Sequence, residues 1–356
     1  MTANIMGNGS NYAERGGVAW WGGGKRLDES DGKATTAVKV AEIDFPVETV
    51  PLYGEVNGKR FFSEHIAIVR PQLAGETDGP VVLGVASEAY TPISNYRVAE
   101  LIDPLTDKWP TETVGALGRG EDFFITLNAG RTEIAGDEMQ QFFFVWNKHD
   151  GTGALRIMFT PIRVVCQNTC LLGARKANVT TSVIHTRHVE AEAAFAIDLT
   201  QRLQLAQQGA MDELAQFARV KVGDEDIRKL LHAVYPDRPR NERADTIIQQ
   251  AEQGVLTLDQ EQLGKLYRKQ LSVEQDRERA AKQRYAALQE YYRLCEESPS
   301  YAATAWLLYQ SITAMESHRG NGSESAKGLS IVTGGARGKN VAVAYDHLAA
   351  LIPATR

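Results

Sequence analysis

The sequence predicts an α+β fold, and three observations carry that prediction. Strand-like runs bounded by Gly, Asn, Asp and Pro crowd the chain up to about residue 188. Beyond it, apolar residues recur at spacings of three and four, the mark of helices. The strands come in groups rather than alternating with helices, which argues against a doubly wound parallel sheet.

Residues 1–35 are rich in Gly, Asn and Ser and read as a flexible segment. Trp20-Trp21-Gly22-Gly23-Gly24-Lys25-Arg26 stands out there, as aromatics that dock on the core or stack on a ligand, docking being the commoner outcome near a chain terminus. Residues 36–188 read as a strand-rich core. Val50–Val56 and Arg60–Val69 flank Asn57-Gly58, two residues that tolerate the positive φ of a tight hairpin turn. Ile66 and Ile68 share one face. Leu73–Pro80 is a loop and Val81–Val85 a short strand. Ser94 or Asn95 caps a helix whose apolar face is Val98, Leu101 and Ile102. Thr111–Leu127 opens a second strand group. A turn at Glu133–Gly136, a strand at Gln140–Asn147 and a turn at His149–Gly153 follow.

Leu155–Val165 reads as a strand that Pro161 bulges or places at an edge. Cys166-Gln167-Asn168-Thr169-Cys170 reads as a strand-to-helix corner, pinned by Gln167, Asn168 and Thr169. Residues 189–318 form a helical region. The stripe Ala196, Leu199, Leu203, Ala206, Ala210, Leu214, Phe217 opens it, and helices over Asp224–Tyr235, Asp259–Glu297 and Thr304–Ser317 follow. Residues 319–356 are a loop and a short Ala-rich helix.

The chain has 356 residues and a net charge of -6, which rules out a uniformly basic coat but leaves room for a local basic groove. Three cysteines make no disulfide framework and fit a reducing cytoplasm. The first residues lack a signal-peptide pattern, and no apolar run is long enough to span a membrane.

Four chemistries were weighed on their residues. Gly115-Ala116-Leu117-Gly118-Arg119-Gly120 lies among strand residues and opens no helix, so it is not a dinucleotide loop. Thr333–Asn340 resembles a Walker loop only superficially, with Thr333 where the first Gly belongs. His185 and His188, with Cys166 and Cys170, are the metal candidates, but a buried Cys pair and a solvated basic turn are the plainer reading. The same cysteines lack an evident orienting group for nucleophilic catalysis. Nucleic acid remains. Between Gln141 and Glu190 six cations face two acids, whereas Glu121–Gln140 carries one Arg against five acids. Positive charge therefore gathers at the corner, where a helix N-terminus would add its amides. Trp20, Trp21, Tyr90, Tyr96 and Trp146 are candidates for base stacking.

Leu83-Gly84-Val85, Tyr90-x-Pro92-Ile93-x-Asn95, Gly115–Gly120, His149-Asp150-Gly151-Thr152 and Arg163-Val164-Val165-Cys166-Gln167-Asn168-Thr169 resemble, in order and spacing, the phage/plasmid-like family called domain of unknown function 932. The resemblance covers roughly residues 15–320. It implies residence on phages, plasmids or other mobile elements, hence the cytoplasm of a bacterial host, and brings no catalytic residues. The order of strands and helices is similar in outline to single-strand annealing recombinases of the Rad and Red-beta type, an analogy of topology. It implies a curved antiparallel sheet packed on helices, and assembly into rings or filaments.

The expectation is a non-enzymatic protein that binds single-stranded DNA, anneals strands, forms a homo-oligomer and needs no cofactor or membrane. Arg163, Arg175, Lys176 and Arg187 would contact phosphates, with Lys148 and His149 at the rim. The rivals are a protein-interaction factor, such as an antagonist of host defence, and a Cys- or metal-dependent enzyme.

Overall fold

The computed structural model describes residues 12–15, 25–27, 31–73, 76, 78–153, 155–163, 168–169, 180–183, 192–318, 331 and 335–353, with side chains for all but Tyr12 and residues 162–198. The fold is α+β. The main sheet uses β1 (Tyr12–Glu14), β2 (Lys25–Arg26), β6 (Thr111–Leu117), β7 (Asp122–Ile134), β8 (Asp137–Lys148), β9 (Leu155–Arg163), β10 (Asn168–Thr169) and β11 (Thr180–Val183). Their order is β10-β9-β8-β7-β6-β1-β2, and β11 also pairs with β9. Every pairing is antiparallel except β1 with β2.

A smaller sheet, ordered β3-β4-β5, consists of β3 (Glu48–Val56), β4 (Lys59–Arg70) and β5 (Val81–Ser87). Its hairpin turns as expected at Asn57 (φ 52) and Gly58 (φ 74), whose positive φ matches the strand twist. Ile66, Ile68, Leu83 and Ala86 give it a small core of its own. The distal half differs. No residue of β3 is buried, nor any of β4 from Lys59 to His65.

The helices are α1 (Ala34–Val40), α2 (Asn95–Thr106), α3 (Glu192–Phe217), α4 (Asp224–Val234), α5 (Glu242–Glu252), α6 (Gln260–Glu297), α7 (Ala305–His318) and α8 (Ala336–Ala349). The Ser94 hydroxyl caps α2, accepting from Arg97 N at 3.2 Å. Asp259 and Gln262 form a reciprocal capping box at α6. On α6, Val273, Ala280, Ala287 and Leu294 are buried at intervals of seven, a stripe along one side of the helix. Helix α7 lies deepest, with every residue from Ala305 to Ser317 buried.

One core joins the sheet to the helices. Ile125, Leu127, Phe143, Val145, Ile157 and Phe159 pack with Val98 and Ile102 of α2, Leu203 and Leu214 of α3, and Trp306 and Ile312 of α7. Phe124, Phe142, Phe144 and Trp146, at the alternate positions, are buried too. A half-buried strand would alternate along the run Phe142–Trp146. This run is instead buried on both faces, as its unbroken apolar character allows.

Two expectations change and one holds. The described parts of residues 1–35, expected to be flexible, are placed against the fold. β1 pairs with β6, and Ala13, Glu14 and Leu27 are buried. Helix α1 begins at Ala34, tied down by the Asp103 carboxylate, which accepts from Ala34 N at 2.7 Å. The corner is strand-to-strand at Asn168-Thr169, which pair with Arg163 and Ile162, so the helical region opens at Glu192 among the described residues. Pro161 behaves as its missing N–H requires. It falls between the stretch of β9 paired to β11 and the stretch paired to β10.

Candidate nucleic-acid interface

One end of the main sheet gathers most of the polar chemistry. There the β6–β7 turn (118–121) and the β8–β9 turn (149–153) meet β5 and the segment before α2. The His149 amide donates to Glu121 O at 2.7 Å, joining the two turns. Gly84 lets β5 approach, since a Cβ there would lie 2.3 Å from the Asp150 carbonyl oxygen. Tyr90 OH donates to Lys148 O at 3.3 Å. Burial, then the Asp150 charge, pushes this phenol up to about 12.

Below the surface lies a set of buried hydrogen bonds. The Asn95 amide donates to Ile43 O at 2.9 Å, which leaves its Oδ1 to accept from His149 Nε2 at 2.7 Å. That polarity assigns the ring proton to Nε2. Asn147 Nδ2 donates to Ile93 O at 3.1 Å. Asn95, Asn147 and His149 are each 0% exposed. Close by, the buried Arg70 grips Glu76 through two bonds of 2.7 and 2.6 Å and donates from Nε to Arg119 O at 2.5 Å. The interior of this end therefore supports the turns and has no reactive group open to solvent among these residues.

The surface above it carries cations on an aromatic floor. Lys148 Nζ lies 5.5 Å and the Arg156 guanidinium 5.8 Å from the Trp146 ring centre. The indole Nε1 donates to Asp122 at 2.9 Å. Burial pushes the Asp122 carboxyl above its ordinary value, against the opposing pull of Lys148 and the indole N–H. Lys148 is committed locally, 2.6 Å from Asp150 and donating to Thr152 Oγ1 at 2.9 Å. Burial alone would raise Asp150, but Lys148 and the Thr152 donors outweigh it and hold the carboxyl low. Arg156 is exposed and has no carboxylate partner among the described residues. Arg119 is exposed at the same end of the sheet.

The expected site residues fall out unevenly. His149 is not a rim contact, because its ring is buried and bonded to Asn95. Lys148 is near the surface but neutralised by Asp150. Arg163 ends β9, opposite Met139 on β8 and Asn168 on β10. Asn168 and Thr169 form β10. Gln167, Arg175, Lys176 and Arg187 lie outside the described residues, as do Cys166, Cys170, His185, His188, Trp20 and Trp21. Of the other stacking candidates, Tyr96 lies under Lys39 at 5.1 Å, and Trp146 is covered by its two cations. Arg156 was only counted in the basic strip. Its pairing with Trp146 follows from β8–β9 register, which a single sequence does not print. Among the described residues no three His, Cys, Asp or Glu side chains group as a metal site would require.

The family model described as Domain of unknown function (DUF932) matches residues 82–345, well over half of the chain. The chain belongs to the DUF932 family. The match begins in β5, later than the resemblance at residue 15 implied, and runs on into α8. No curated protein and no solved structure matches the chain. Of the DUF932 stretches quoted from the sequence, those at Gly84, Tyr90, Asn95, Gly115–Gly120 and His149–Thr152 meet at this one sheet end, and Arg163 leaves β9 beside β10. Among the described residues no helix is long and apolar enough to cross a membrane.

Proposed function

We propose that this DUF932 protein binds single-stranded DNA of a phage, plasmid or similar element and promotes strand annealing, as a non-enzymatic protein working without a cofactor. The observation that carries the reading is Arg156. It is an exposed guanidinium held against Trp146, with no ion-pair partner among the described residues, on the strand that pairs with β10 and β11. β10 and β11 both pair with β9, and Arg175 and Lys176 fall between those two strands in the sequence. A cation with a stacked plane serves a flexible strand well, since it offers charge to phosphate and a flat surface to a base. Arg119, Arg156, Arg163, Arg175, Lys176 and Arg187 form the proposed contact set, and Lys148 holds the β8–β9 turn through Asp150.

The test is anisotropy of a labelled oligothymidine titrated with the full chain at several salt concentrations. Affinity should fall linearly on a log–log plot of binding against salt, with a slope that becomes shallower by about one for each phosphate-contacting cation removed. Arg156→Ala and the pair Arg175→Ala with Lys176→Ala should weaken binding alike on all sequences. Absence of binding, or affinity indifferent to salt, overturns the reading.

A further inference from the structure

The β3–β4 hairpin presents an apolar tip that its own chain leaves uncovered. Phe62 is 81% exposed, with Tyr53, Val56 and Phe61 also exposed. Tyr53 and Phe62 face each other across the hairpin, and Arg60 lies 5.0 Å from the Tyr53 ring centre. From Lys59 to His65 nothing on β4 is buried, so the arm projects about 20 Å beyond its small core. Exposed aromatics at such density on a projecting strand pair mark a contact surface.

A matching receptor exists elsewhere on the same chain. Helices α4 and α6 flank a groove of about 260 Å³ with an apolar floor that includes Ile227, Leu231 and Leu288. Tyr285 and Tyr292 stand along its α6 side, more than half exposed. Asp224 lies on its rim, where α4 begins. The groove's cations Arg228 and Arg284 are already engaged by Glu225 and Asp237, which leaves Asp224 as its open charge. Lys59 at the arm tip and Asp224 at the groove are both exposed, and neither has an ion-pair partner among the described residues.

We propose that the β3–β4 arm of one copy docks into the α4–α6 groove of a second copy, with Phe62 and Tyr53 on the apolar floor and Lys59 against Asp224. The hairpin's acids, Glu48, Glu55 and Glu64, offset its cations and make it a poor partner for phosphate, which favours a protein occupant over nucleic acid. A knob on one surface and a socket on another make a head-to-tail contact, so copies add in series and close into a ring or grow as a filament. The proposal stands apart from the nucleic-acid reading, and its assembly test needs no DNA.

Sedimentation velocity of the full chain over a range of concentrations gives the oligomeric state. The wild-type chain should assemble beyond a dimer. Phe62→Glu on the arm and Tyr285→Glu in the groove, both at exposed positions, should each weaken association at least about thirtyfold. Mixed in equal amounts, the two variants should form a dimer and nothing larger, because only one intact arm and one intact groove remain per pair. A monomeric wild type, assembly unaffected by either variant, or a mixture that fails to pair overturns the proposal. So does a Phe62→Glu chain that assembles normally but loses oligonucleotide binding, an outcome that would make the arm a nucleic-acid element.

Discussion

Asn95 shows how one side chain can hold an end of a sheet. It satisfies the Ile43 carbonyl and the His149 ring at once, inside a site closed to water. Asn95→Ala strands both partners and should cost about 2–4 kcal/mol, read as a lower urea midpoint with unchanged slope. Arg70 and Glu76 make a second such post. Arg70 is 2% exposed, whereas the Glu76 side chain is a third exposed. Glu76→Gln leaves the guanidinium without its counter-charge and should cost about 2 kcal/mol, less than for a fully buried pair. The Arg70 bonds hold the Glu76 carboxyl below its ordinary 4.5, against the pull of burial, with the Leu73 amide helping. Its contribution is therefore present above pH 4.5 and is lost as acid protonates the folded carboxylate. Melting temperatures of wild type and Glu76→Gln should converge as the pH falls below that value. The sequence marked Asn95 as a helix cap and His149 as a rim cation. Neither label could foresee a bond between residues 54 apart, because pairing across a fold leaves no local pattern.

At the scale of elements, local rules served well where a turn residue or a helical stripe decided the structure. Asn57-Gly58, Ser94 and the α3 stripe stand where they were expected. They failed where a tertiary partner decided. Asn168-Thr169 carries helix-capping residues yet pairs as a strand, since β9 offers an edge beside it. Helix α5, which follows Pro236 and Pro239, falls between the helices expected at Asp224–Tyr235 and Asp259–Glu297. It is capped by Asn241, which accepts from Ala244 N at 3.1 Å, and it lies on α6. Two glycines separate these regimes. Gly84→Ala drives a Cβ into the Asp150 backbone and should destabilise by about 1–3 kcal/mol, because a backbone yields less than a side chain. Gly209→Ala, mid-helix in α3 with nothing within 4 Å, should stabilise by about 1 kcal/mol. Paired thermal melts of the two variants should shift in opposite directions.

For the whole molecule, the fold class was legible and its seams were not. The change from strand groups to helices is written in periodicity. The joining of the N-terminal strand to β6 is not, because three residues are too few for a pattern. That joint covers one side of β6, a strand buried along its whole length. A chain lacking residues 1–15 should expose that side and lose solubility, seen as light scattering that grows with concentration. The candidate interface was legible only as a charge imbalance. Geometry removed His149 from it, neutralised Lys148 and added Arg156.

The β1–β6 pairing also bears on the order of events in folding. Tyr12 meets Gly115 across about a hundred residues, whereas the β7–β8 hairpin closes between Ile134 and Asp137. Closing a loop of a hundred residues costs about 2 kcal/mol more chain entropy than closing one of ten. Loop-closure entropy thus predicts that the local hairpins form before the first strand is captured, with β1 as a late latch. In stopped-flow refolding, Ala13→Pro, which removes one backbone donor from that strand, should leave the folding rate nearly unchanged and speed unfolding. A slowed folding limb would instead place β1 in the nucleus.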